Sequence, residues 1–249
     1  MATREEGELG RPAFYALASG GWRDLVTLLH PPYTAWHLSY VALGAAAAPT
    51  LHIGRLGWAL GAFFLAVGVS AHALDELNGR PLRTALSRAT LVTLAVAGLA
   101  GAVAIGVIGI IAVSPLLLPL VVAGAALVPL YNLELAGGRF HNDAWFAIAW
   151  GGFPAFTGYF SSALAIRPAG ILVTAACCLL SAAQRRLSTP VRELRRRTAH
   201  VHGEQTLTDG RVVELDSARL AAPLEGALSA LSLALVLLAA GLVAVRVSS

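Results

Sequence analysis

Long apolar runs separated by short polar breaks dominate the chain. Seven stretches, at 33–50, 56–75, 90–113, 115–132, 144–164, 168–187 and 224–245, each approach the ~20 residues that a helix needs to cross a bilayer. The pattern predicts an all-α, polytopic bundle of about seven spans. The division at Ser114-Pro115 is the least obvious boundary, but some 40 apolar residues between Thr90 and Leu130 require two passes rather than one kinked helix. Residues 1–12 are polar, so the first apolar run is expected to stay in the membrane rather than serve as a cleaved leader.

Four segments follow from this pattern. Residues 1–32 are expected to form an N-terminal segment whose part at 11–30, mixing apolar and charged positions and closed by Pro31-Pro32, lies as an amphipathic helix on the membrane surface. Residues 33–187 hold six spans. The stretch 188–223 reads as a cap, with an Arg-rich helix at 191–199 and a hairpin turning at Asp209-Gly210. The last span occupies 224–249.

Charge fixes the expected orientation. All 18 basic residues are Arg. Distributed over alternate loops, fifteen of them fall on one side and only Arg55, Arg167 and Arg246 on the other. The positive-inside rule then puts the N-terminus in the cytoplasm and the C-terminus outside, as expected of a multi-pass protein of the cell membrane. Composition agrees: the chain is 57% hydrophobic and 13% charged, with a mean hydropathy of +0.69. Without lysine there is no Schiff-base chemistry, which excludes a retinal-type pigment. The adjacent Cys177 and Cys178, inside an apolar helix, are poorly placed to pair and read as packing residues.

Polar residues collect at span ends on the expected cytoplasmic side. His72, Asp75 and Glu76, at i, i+3 and i+4, share one helical face, where they are candidates to hold a divalent cation. Arg80 and Arg83 follow directly and are candidates for phosphate oxygens. The competing reading is a helix end reaching water, with Asn78-Gly79 as an ordinary turn. After span four come Tyr131, Asn132, Glu134 and Arg139. Tyr131 and Glu134 are candidates to face the reacting carbon or acceptor and Arg139 to bind phosphate, against plain interfacial anchoring. Asn142 or Asp143 reads as an N-cap. Gln184, Arg185 and Ser188 close span six. Arg185 is a further phosphate candidate, although its Arg run also serves as a topology signal. In span five, the Gly151-Gly152-Phe153-Pro154 break predicts a kink, and Trp150, Phe153, Phe156, Tyr159 and Phe160 are candidates for the wall of an apolar pocket.

Taken together, these segments resemble the UbiA superfamily of intramembrane prenyltransferases and their terpene-cyclase relatives. The resemblance is carried by Leu28 to Trp36, by Asp75 to Ser87 with its Arg-Pro-Leu stretch, by Tyr131 to Arg139 and by Trp150 to Tyr159. It implies magnesium held by His72, Asp75 and Glu76, diphosphate bound by Arg80, Arg83, Arg139 and Arg185, and catalysis by Asp75, Glu134 and Tyr131. Trp150, Phe153 and Tyr159 would line the prenyl or acceptor pocket. The implied partners are an isoprenyl diphosphate, a lipidic or small-molecule acceptor and membrane lipids, not nucleic acid. This chain departs from the family pattern in three ways. Ala71 to Asp75 keeps only the last Asp of the first Asp-rich motif, Gln184 and Ser188 stand where the second motif has carboxylates, and seven spans are counted instead of nine. Cyclisation, and a non-catalytic lipid- or partner-binding protein on the same scaffold, are the alternatives, with a small-molecule transporter behind them.

Overall fold

The computed structural model describes residues 11–248. Eight helices account for most of them: α1 (Trp22–Leu28), α2 (Pro31–Ala46), α3 (Ile53–Leu77), α4 (Arg88–Ala112), α5 (Pro115–Asn132), α6 (143–163), α7 (Pro168–Arg196) and α8 (Ser217–Ser248). Five of them, α3, α4, α5, α7 and α8, are long and apolar enough to cross a membrane. The chain is a mainly helical membrane bundle.

The two remaining predicted spans, α2 and α6, form the centre. Their backbones touch: a Cβ on Gly44 would lie 1.9 Å from the Ala155 carbonyl oxygen, and one on Gly158 would lie 2.0 Å from that of Val41. Small residues allow this approach, which replaces a hydrophobic driving force that lipid cannot supply. Trp36, Tyr40 and Cys177 fill the adjoining core together with Leu235 and Ala239 of α8. Cys177 and Cys178 are both free thiols, in line with a packing role.

Several boundaries differ from the sequence reading for identifiable reasons. Pro31 and Pro32 begin α2 rather than merely ending the preceding segment, because a first-turn proline loses no hydrogen bond there. The expected surface helix at 11–30 shrinks to α1, since Gly20 and Gly21 take positive φ (121° and 62°) and break it. Residues 1–10 lie outside the described part. Ser114 is extended (φ −170°) and its hydroxyl caps Leu116, so α4 and α5 are separate helices as expected. The cap is not a separate unit at its N-terminal edge. Helix α7 continues through Pro190 to Arg196, and the hydroxyls of Ser188 and Thr189 bond the Arg185 carbonyl one turn before the proline. The hairpin is present, β1 (Gly203–Thr206) pairing antiparallel with β2 (Val212–Leu215) and Gly210 supplying a φ of 83°. At the far end of the bundle, Arg246 donates to the carbonyls of Ala48 and Pro49, and Arg55 to that of Ser161.

Two helices contain widened π turns, Phe64–Ala71 in α3 and Ile148–Gly152 in α6. The second falls at the break expected at Gly-Gly-Phe-Pro. Pro154 has no N–H to give to the Trp150 carbonyl four residues earlier, and the helix is widened just before it.

Candidate binding site for an anionic headgroup and an apolar chain

A polar cavity of about 120 Å³ opens where the N-terminal segment meets the ends of α2, α3, α5, α6 and α7. Three arginines of α7, Arg185, Arg192 and Arg196, reach it, at i, i+7 and i+11 on one helical stripe. Among the described residues, Asp75 is its one carboxylate. Arg185 is shared with Asp143, Nε to Oδ1 at 3.0 Å, and lies 5.1 Å from the centre of the Phe146 ring. Arg192 donates to Thr189 Oγ1 and Arg196 to the Pro12 carbonyl, and neither has a carboxylate partner among the described residues. Among the described residues the balance of the cavity is cationic.

Four of the seven histidines line the same space: His30, His37, His72 and His141. Three are oriented by main-chain carbonyls that accept from Nδ1: His37 to Trp150 at 2.7 Å, His72 to Gly68 at 3.2 Å and His141 to Tyr131 at 3.0 Å. A carbonyl only accepts, so Nδ1 carries the proton, and in the neutral ring Nε2 is left as a lone-pair acceptor. The carbonyls of Trp150 and Gly68 both belong to the widened turns of α6 and α3.

His30 is different. It sits in left-handed backbone (φ 45°), stacks on His72 with ring centres 4.1 Å apart, and shares a 2.7 Å hydrogen bond with the Tyr15 hydroxyl. Burial, with repulsion from His72, Arg196, Arg192 and His37 added, holds its imidazole well below the usual value, so the ring is neutral at pH 7. Burial likewise pushes the Tyr15 phenol up. Three buried polar atoms of cavity residues have no partner among the described residues: His30 Nε2, the Tyr131 hydroxyl and Gln184 Oε1. Unsatisfied buried groups are costly, so three around one hollow call for a polar occupant, whether ordered water or a ligand head.

Beneath lies an apolar chamber of about 400 Å³ between α3, α4, α5 and α6, with Phe63, Leu99, Val128 and Phe153 in its wall. Val67 and Trp150 line both spaces, so these two buried side chains form a wall common to the polar cavity and the chamber.

The residues expected from the sequence divide sharply. His72, Asp75, Tyr131 and Arg185 reach the cavity, as do Gln184 and Ser188, while Trp150 and Phe153 reach the chamber. Glu76 does not. It is fully buried, and its carboxylate accepts from the N–H groups of Leu82 and Thr84 and from the Thr84 hydroxyl, which pins the 79–87 loop. Asp24, buried beside it, accepts from Gly20 and Ala85. Arg80 folds back onto the carbonyls of Thr84 and Leu86, and Arg83 is exposed; both take positive φ as the loop curls over Glu76. Glu134 (φ 51°) and Arg139 are exposed on a turn outside the cavity. Tyr159 is fully buried against Gly170, where an added Cβ would come within 2.4 Å of its ring, so it packs the bundle and lines neither space. Phe156 and Phe160 stack on each other. Asn142, not Asp143, caps α6, accepting from Trp145 N.

Of the His72–Asp75–Glu76 face, the Glu76 carboxylate is spent on a loop and His72 Nδ1 on the Gly68 carbonyl, which leaves Asp75 as the carboxylate of the pair that lines the cavity. Among the described residues no group of three or more His, Cys, Asp or Glu is placed to hold a metal. His141, a polar residue after span four, reaches the cavity as expected of that mouth, whereas sequence reasoning assigned no site role to Tyr15, His30, Tyr33, His37, Arg192 and Arg196. The i, i+7, i+11 spacing of Arg185, Arg192 and Arg196 was a readable signal for the last two. Compared with known protein families, with curated proteins and with solved structures, the chain matches none.

Proposed function

We propose that the chain is a membrane-embedded enzyme that binds an isoprenyl diphosphate and transfers its prenyl group to an acceptor, releasing diphosphate. The anionic head would sit among Arg185, Arg192 and Arg196, whose guanidinium groups match phosphate oxygens in charge and geometry. The apolar chain would fill the chamber, dry enough to shield an allylic cation from water. One observation supports the reading: Val67 and Trp150 line both the cationic cavity and the chamber, which puts a place for a charged head next to a place for an apolar tail. The resemblance to UbiA-type enzymes supports the substrate class, with arginines in place of the metal-binding carboxylates. The same reading has α2 and α6 cross with the other five helices, seven spans in all, with the cavity facing the cytoplasm.

A second reading, a lipid-binding protein without catalysis, is favoured by the lone carboxylate in the cavity and by the positions of Arg80, Arg83 and Arg139 outside it. Incubation of the purified protein with geranyl, farnesyl and geranylgeranyl diphosphates, with and without magnesium, separates the two. Diphosphate release that Arg192→Gln and Arg196→Gln abolish supports the enzyme, and a cyclic hydrocarbon product assigns it to cyclisation. Binding without release from any donor supports the second reading.

A further inference from the structure

The polar cavity has two chemically distinct sides. One is cationic, from the α7 arginines, while the other presents imidazole nitrogens whose protonation is set by backbone geometry. His37 is bonded to a residue that lines both the cavity and the chamber. Its Nδ1 bonds the carbonyl of Trp150, a residue shared by both spaces, and its ring centre lies 6.3 Å from the centre of the Trp150 ring. That carbonyl is available because residue 154 is a proline, which has no N–H to return to it. The sequence thus builds an acceptor for His37 Nδ1–H into α6, and the second ring nitrogen remains a lone-pair acceptor on a residue that lines the polar cavity.

We propose that His37 is the proton acceptor of this site and that the co-substrate is a molecule bearing a protic group, a hydroxyl or an acidic C–H, held against its Nε2. The inference rests on the prenyl-transfer reading. The C1–O bond of the donor breaks and its electron pair leaves with the diphosphate. An electron pair of the acceptor forms the new bond to C1, and the acceptor's proton passes to His37 Nε2. The imidazolium so formed keeps its Nδ1–H on the Trp150 carbonyl, so the ring does not have to turn during the transfer. No oxidant or metal enters the balance. His72 and His141 have the same tautomer, but their anchoring carbonyls, Gly68 and Tyr131, are not in the chamber wall.

The test uses the whole protein in lipid nanodiscs with farnesyl diphosphate and phenol, a small molecule with an acidic hydroxyl, as the probe acceptor. Binding of the non-cleavable farnesyl thiodiphosphate is measured in parallel. His37→Asn keeps an amide donor for the Trp150 carbonyl while removing the basic nitrogen; His37→Gln serves should the asparagine variant fail to fold. The expected result is unchanged analogue binding with diphosphate release slowed by about 100-fold or more, the usual worth of a general base. Release at the wild-type rate from a folded variant overturns the role of His37 and leaves the head-and-chain site standing. Failure of the wild-type protein to bind the analogue overturns the site itself, and binding without release of diphosphate overturns the prenyl-transfer reading; either result ends this inference.

Discussion

Two adjacent carboxylates, Asp75 and Glu76, look equivalent in the sequence and do opposite work. Glu76 accepts three hydrogen bonds from a single loop with no exposed surface, whereas Asp75 faces the cavity. Hydrogen bonds to a buried charge are strong, and removing the acceptor strands its donors. Glu76→Ala is therefore expected to destabilise the protein by about 3 kcal/mol or more, read as a large drop in unfolding midpoint in detergent. Asp75→Asn should leave the midpoint nearly unchanged and alter ligand affinity. His30 makes a prediction in pH. Its folded-state value is depressed, so as pH falls below roughly 6.5 the unfolded chain takes up a proton that the buried ring refuses, and stability declines; above that pH the contribution is constant. His30→Asn, which tolerates the left-handed backbone, should flatten part of this slope in a series of melting curves. At this scale the sequence showed that the 70–87 stretch matters. It did not show which way each side chain turns, because that depends on the positive φ of Arg80 and Arg83, which no helical spacing rule anticipates.

Helices α2 and α6 differ from the others in kind. Their contact through Gly44 and Gly158 leaves no room for a methyl group, since the neighbouring atoms are backbone carbonyls that cannot rotate away. Gly44→Ala and Gly158→Ala are each expected to cost about 3 kcal/mol, the upper end of an overpacking penalty, visible as loss of folded protein after detergent extraction. Gly54→Ala and Gly57→Ala, where nothing lies within 4 Å, should be neutral or raise stability by up to about 1 kcal/mol through helix propensity. Apolar run lengths predicted α4 and α5 to within a few residues, because lipid-facing helices are specified by composition alone. They overextended α2, which ends at Ala46, because a central helix is bounded by packing and not by the thickness of hydrocarbon. The break in α6 was legible from Gly-Gly-Phe-Pro. Its use was not, since the carbonyl that Pro154 frees is claimed by His37, 113 residues away in sequence.

Across the whole molecule, the polar groups gather at one end of the bundle around a cavity that adjoins an apolar chamber, and the other end is tied by Arg55 and Arg246 to backbone carbonyls. The asymmetric distribution of arginine made this polarity readable from the sequence. The arginines of the cavity were harder to single out, since Arg192 and Arg196 lie in a run whose charge also serves as a topology signal, and only the continuation of α7 past Pro190 brings them over the opening. The central claim is that head cavity and chamber act as one site. Photolabelling with a farnesyl diphosphate analogue carrying a diazirine at the chain terminus, followed by peptide mapping, tests it most directly. The account predicts adducts on the chamber walls of α3 to α6, near Val128 and Phe153, that disappear in the Arg192→Gln, Arg196→Gln double variant. Labels scattered over the outer faces of α4 and α8, and unchanged in that variant, would contradict it.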